Sequence, residues 1–175
     1  MKNKTEETLR QLVNLPLWSI GRAGGLVWFA FGVERREVPN CKGKKKIVSE
    51  YSLHVQCPWR IRNRNKIIVG YGDRFYASGD DPYREFPEDE PDRIGNNQFD
   101  QRASEFIKEY EQKPIIVTSV KADALGGIYL KLTKGYFLDV FPSSSLSTEY
   151  WRIFKPDSKE DQGNRILIAR GEDFE

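Results

Sequence analysis

Apolar positions along this chain recur with two different periods. From Thr5 the sequence reads as a helix: Thr5 is a suitable N-cap, Glu6 and Glu7 fall in the first turn, and Leu9, Leu12 and Val13 share one face. Pro16 stops it. A second helix begins near Asn97, where Phe99, Ala103, Phe106, Ile107 and Tyr110 form an apolar stripe at helical spacing, and it ends before Pro114. The clearest strand lies between them. Tyr51, Leu53, Val55, Cys57, Trp59 and Ile61 fall on one face of it, and Ser52, His54, Gln56 and Arg60 on the other. Pro58 cannot donate to a ladder, so it marks an edge, a bulge or the strand end.

Shorter runs complete the pattern. Residues 17–20 and 26–31 read as a hairpin joined by the glycines at 21, 24 and 25, and the second run is apolar at both parities, as in a strand covered on both faces. Residues 66–70 return from a turn at Asn63-Arg64-Asn65. The last third alternates in runs at 115–120, 128–132, 136–141, 150–154 and 166–169, with Lys134-Gly135 as a hairpin turn. Connections this short force antiparallel neighbours. Residues 34–46 are polar and basic and read as a loop, and 73–97 form an irregular acidic excursion. The expected fold is a single α+β domain over residues 1–175. It has a largely antiparallel sheet of about eight or nine strands, an N-terminal helix and one mid-chain amphipathic helix.

Composition narrows the function classes. A chain of 175 residues with 13 % aromatics can bury one core. Its 28 basic and 26 acidic residues leave a net charge of +2, which argues against a nucleic-acid coat or a polybasic membrane anchor. No apolar run approaches the roughly 18 residues needed to span a bilayer, and the opening residues lack a signal core, so a cytoplasmic location is expected. Two cysteines, Cys41 and Cys57, match neither a disulfide framework nor a zinc pattern, and His54 is the sole histidine. No glycine group has the context of a phosphate loop. Neither cofactor nor metal is expected, and the balance falls away from an enzyme.

The candidate binding residues are His54, with Gln56 and Arg60 on its strand face, and Arg152, set among the aromatics of Tyr150-Trp151-Arg152-Ile153-Phe154. Acids crowd the excursion, where Glu88, Asp89 and Glu90 form a candidate partner surface. Their spacing lacks the order of a calcium loop. Basic residues cluster at 35–46 and again at Arg60, Arg62, Arg64 and Lys66.

Several segments carry a resemblance. Leu53-His54-Val55-Gln56-Cys57-Pro58-Trp59-Arg60, the hairpin from Gly126 to Leu138, Val140-Phe141-Pro142 with Ser143 to Ser145, and Glu149-Tyr150-Trp151-Arg152 resemble a family of small uncharacterised bacterial proteins. The resemblance covers most of the chain from Leu15 to Phe154 and implies a bacterial, cytoplasmic, stand-alone domain. No activity is assigned to that family, so it brings no site residue with it.

Three functions are therefore weighed. The first is a non-enzymatic protein-binding domain, including the toxin-neutralising immunity kind, with another protein as partner. The second is a small-molecule or hydrolytic site on the His54 face, with His54 as base, Gln56 and Arg60 orienting, and Arg152 holding an anion. The third is nucleic-acid binding through the basic hairpin loops. Homo-oligomerisation through an edge strand stays open.

Overall fold

The period-two run over 51–61 forms two strands rather than one. A computed structural model describes residues 2–33, 36–39, 45–81, 83–86, 93–146, 148–156 and 164–170. In it β5 (Tyr51–Val55) lies between β2 (Leu26–Phe31) and β11 (Glu149–Lys155), whereas β6 (Trp59–Arg62) lies between β10 (Phe137–Val140) and β7 (Ile67–Gly70). The chain changes partners at Gln56-Cys57-Pro58, where Pro58 has no N–H to give a ladder. Just before the corner Gln56 N donates to Tyr150 O at 2.8 Å, and just after it Phe141 N donates to Pro58 O at 3.0 Å. The apolar face survives the bend: all six residues from Tyr51 to Ile61 that alternate inward are buried.

Among the described residues ten strands form one antiparallel sheet. Its order is β12-β11-β5-β2-β1-β8-β9-β10-β6-β7, with β1 (Pro16–Ala23), β8 (Ile115–Ala122), β9 (Ile128–Leu132) and β12 (Asn164–Arg170) completing it. A three-residue corner joins strands so far apart in this order only if the sheet curls and its inner faces meet. They do. Phe29 of β2 meets Trp59 of β6 edge to face, ring centres 5.1 Å apart at 83°. Trp151 Nε1 of β11 donates to Gly126 O, 2.8 Å away in the β8–β9 turn. Among the described residues the Trp59 N–H has no hydrogen-bond partner, and its ring packs edge to face on Phe29 and Phe99.

Two helices lie against the sheet. α2 (Gln98–Glu109) begins where Asn97 caps it, its side chain accepting from Asp100 N at 3.0 Å. Phe99, Ala103 and Phe106 carry its stripe into the core beside β1 and β7. Ion pairs Arg22–Asp100 at 2.8 Å and Arg102–Asp73 at 2.6 Å tie its polar side to β1 and to the start of the excursion. No helix among the described residues is long and apolar enough to cross a membrane.

Four expectations change in detail within the α+β fold. α1 (Lys2–Leu9) starts ahead of Thr5, which is buried inside it rather than capping it. Docking decides this: Glu6 Oε1 accepts from Ala122 N of β8 at 3.0 Å. Pro16 opens β1, and the helix has already ended through a 3-10 turn at Arg10–Leu12 with Asn14 at φ +70°. The stretch 34–46 is not all loop, because β3 (Arg36–Pro39) and β4 (Lys45–Val48) pair as a separate hairpin. With the 51–61 run split in two, the main sheet has ten strands rather than eight or nine.

Candidate functional site

Outward-facing residues of β2, β5 and β11 stand in cross-strand rows. Trp28 lies opposite His54, which lies opposite Arg152; Ala30 lies opposite Ser52, which lies opposite Phe154. Such a face would ordinarily be wet, yet Ala30 and Ser52 are buried. The cover comes from the end of the small hairpin, where Ile47, Val48 and Ser49 lie over the sheet. Between cover and sheet is a cavity of about 570 Å³. Trp18, Trp28 and Phe154 supply its aromatic walls; Ser19, Ser49, Ser52 and His54 supply its polar groups.

Trp28 is held in place by its neighbour. It pairs with Gly21 across the β1–β2 hairpin, and a Cβ at Gly21 would lie 2.2 Å from the indole ring. Only glycine lets the ring lie flat there. Trp28 thereby forms the wall between this cavity and a second one, of about 420 Å³, under α2.

His54 sits at the cavity's edge. Its ring meets Phe154 edge to face with centres 4.6 Å apart. Arg152 Nη2 approaches its Nδ1 at 3.5 Å, and because a guanidinium only donates, Nδ1 is the acceptor and Nε2 carries the hydrogen. Burial, aided by the positive charge of Arg152, pulls the His54 pKa down from 6.5 to about 4. The imidazole is therefore neutral at pH 7 and a weak base.

Glu149 gathers the other two strand-face candidates. Its Oε1 accepts from Gln56 Nε2 at 3.2 Å and lies 3.3 Å from Arg152 Nη1. Gln56, Glu149, Arg152 and His54 thus form one polar chain. Three of the four candidate binding residues come together here, through a carboxylate that sequence reasoning placed beside Arg152 without giving it this role.

Arg60 is elsewhere. The corner at 56–58 carries it to the other half of the sheet, where Arg60 Nε donates to Asp139 Oδ2 at 3.0 Å and Arg62 Nε to the same oxygen at 2.6 Å. The Asp139 side chain is 2 % exposed, against 42 % for Arg60 and 31 % for Arg62. Each guanidinium also stands over an aromatic ring, Arg60 over Phe141 at 5.5 Å and Arg62 over Phe137 at 4.4 Å.

Glu88, Asp89 and Glu90 lie outside the described residues. Cys57 points into the core, where burial pushes its thiol up to about 12, so it stays protonated and unreactive. Among the described residues no group of three His, Cys, Asp or Glu side chains could hold a metal ion.

Three of the segments that carry the family resemblance are neighbours in space. The octapeptide 53–60 runs beside Glu149–Arg152 through β5 and beside Val140-Phe141 through β6. Comparison with protein-family models, curated proteins and solved structures finds no match. Sequence reasoning missed Asp139, Trp18 and Trp28 as parts of these sites. The one signal for the cavity was the apolar character of 26–31 at both parities, which implies cover on the second face.

Proposed function

We propose that the protein is a non-enzymatic binding domain that docks an acidic protein surface on the exposed face of β8, β9, β10 and β6. The observation that carries this is the arginine pair fixed on one buried carboxylate. It belongs to two cross-strand rows, Lys121–Tyr129–Asp139–Arg60 and Lys131–Phe137–Arg62. The rows hold four cations against the single carboxylate of Asp139. Lys121, Lys131 and Tyr129 are exposed. The Asp123 carboxylate at the rim is engaged, accepting from the Tyr129 hydroxyl at 2.9 Å and from the Gly127 amide at 2.8 Å.

Held arginines over aromatic rings are what binding hot spots are made of, because little side-chain entropy remains to be lost on docking. Excess positive charge selects an acidic partner and speeds encounter. Catalysis has less support. His54 is a weak base at neutral pH, and neither Ser49 nor Ser52 is hydrogen-bonded to it as a nucleophile would be.

The test is affinity capture from nuclease-treated lysate at physiological salt, with Lys121→Glu/Lys131→Glu run in parallel. Both lysines are exposed, so the fold tolerates the change. One stoichiometric protein, retained by the native chain and lost by the double variant, supports the reading. A partner kept equally by both chains, or recovery of nucleic acid in place of protein, overturns it.

A further inference from the structure

We infer that the cavity between β4 and the β2–β5–β11 face is a binding site for a neutral, planar, bicyclic-sized heteroaromatic molecule. Three observations converge on that ligand class. Its volume, about 570 Å³, falls within the range of roughly 300–1,000 Å³ typical of small-molecule sites. Its walls are Trp18, Trp28 and Phe154, and such rings favour a flat partner in stacked or edge-to-face contact. No charged side chain lines it among the described residues. An ionised ligand would therefore lose its hydration without a counter-charge, whereas a neutral one would not.

The polar groups supply the recognition. Ser49 and Ser52 line the cavity; neither hydroxyl makes a hydrogen bond among the described residues, and neither oxygen is sealed off, so both are accessible from the cavity. One on the cover and one on the sheet, they can give or take a hydrogen bond from a molecule lying between them. His54 adds one donor, since Arg152 engages its Nδ1 and leaves the hydrogen on Nε2. A heteroaromatic edge carrying both a donor and an acceptor meets all three, because a hydroxyl can give or take. This site lies on the opposite half of the sheet from the arginine pair, and neither site needs the other.

The probes are indole, neutral and bicyclic, and indole-3-acetate, its anionic analogue, titrated into 15N-labelled protein at pH 7. Indole is expected to bind saturably, shifting the side-chain N–H signals of Trp18 and Trp28, with indole-3-acetate at least tenfold weaker. Ala30→Leu, which fills the cavity from its floor, abolishes the indole response. Ser49→Ala/Ser52→Ala only removes two oxygens, so it keeps the test decisive if Ala30→Leu does not fold, and it weakens indole several-fold. Linear, non-saturable shifts, equal affinity for the two probes, or unchanged indole binding in the double alanine variant would each overturn the inference.

Discussion

Two outward faces of the same curled sheet meet burial in opposite ways. On β2, β5 and β11 a second hairpin covers part of the face, and His54, at the edge of the covered cavity, gives up its charge. On β9, β10 and β6 nothing described lies over the rows, and the buried group, Asp139, is matched by two arginines that reach out to water. Desolvation acts in both places. What differs is whether a counter-charge can stand at the boundary. An exposed rim lets Arg60 and Arg62 keep their hydration while neutralising a carboxylate beneath them. Under a lid of Ile47 and Val48 no such arrangement exists, so the cheaper state is the uncharged one.

The largest expected effect breaks the charged face. Arg60→Met/Arg62→Met leaves Asp139 buried without a cation and should cost about 2–4 kcal/mol in urea unfolding, somewhat below a fully buried pair because both arginines are part-exposed. Arg60→Met alone keeps the shorter Arg62 contact and should cost less than about 1 kcal/mol. If the double variant also lost less than about 1 kcal/mol, the clamp would be surface decoration and Asp139 would be finding another partner.

A smaller effect tests the covered face through pH. His54 binds a proton near 6.5 when unfolded and only near 4 when folded. Between those values the unfolded chain holds the extra proton. Its stability contribution is therefore complete above pH 6.5, falls as pH drops, and levels off below about 4. From pH 7 to pH 5 the loss should approach about 2 kcal/mol at most, given that the ring is only partly buried. His54→Gln should remove that part of the slope and leave the contribution of the carboxylates. Equal slopes for the two chains would mean that the imidazole titrates normally and that the hairpin does not shield it.

This contrast shows where the sequence was legible. Alternation picked out the inward face, Tyr51, Leu53, Val55, Cys57, Trp59 and Ile61, because the pleat is a local property and persists through a bend. It could not reveal that Arg60 parts from His54. That separation follows from the strands each half pairs with, Glu149–Lys155 for His54, 98 residues downstream, and Phe137–Val140 for Arg60, 79 residues downstream. The lid was hidden for another reason. Lysines and Pro39 dominate 36–48, so its strands look like loop, and of its apolar end Val48 is buried while Ile47 is exposed. Asp139 was unreadable because a single carboxylate between Leu138 and Val140 gives no sign of the arginines that meet it.

The smallest effect separates the two causes acting on His54. Burial is the larger and the Arg152 charge the lesser. Arg152→Gln removes the charge and leaves Trp28, Phe154 and the lid in place. Since Arg152 is itself paired with Glu149, part of its field is already cancelled. The His54 pKa, read from the ring proton shifts, should therefore rise only part of the way and remain well below 6.5. Stability should change by less than about 1 kcal/mol, as for other part-exposed pairs. A return to the ordinary value would place the effect on the neighbouring cation instead of the cover. Neighbouring charge would then set the buried group on both faces, by repulsion at His54 and by attraction at Asp139, and His54 would no longer report on the hairpin that covers the cavity.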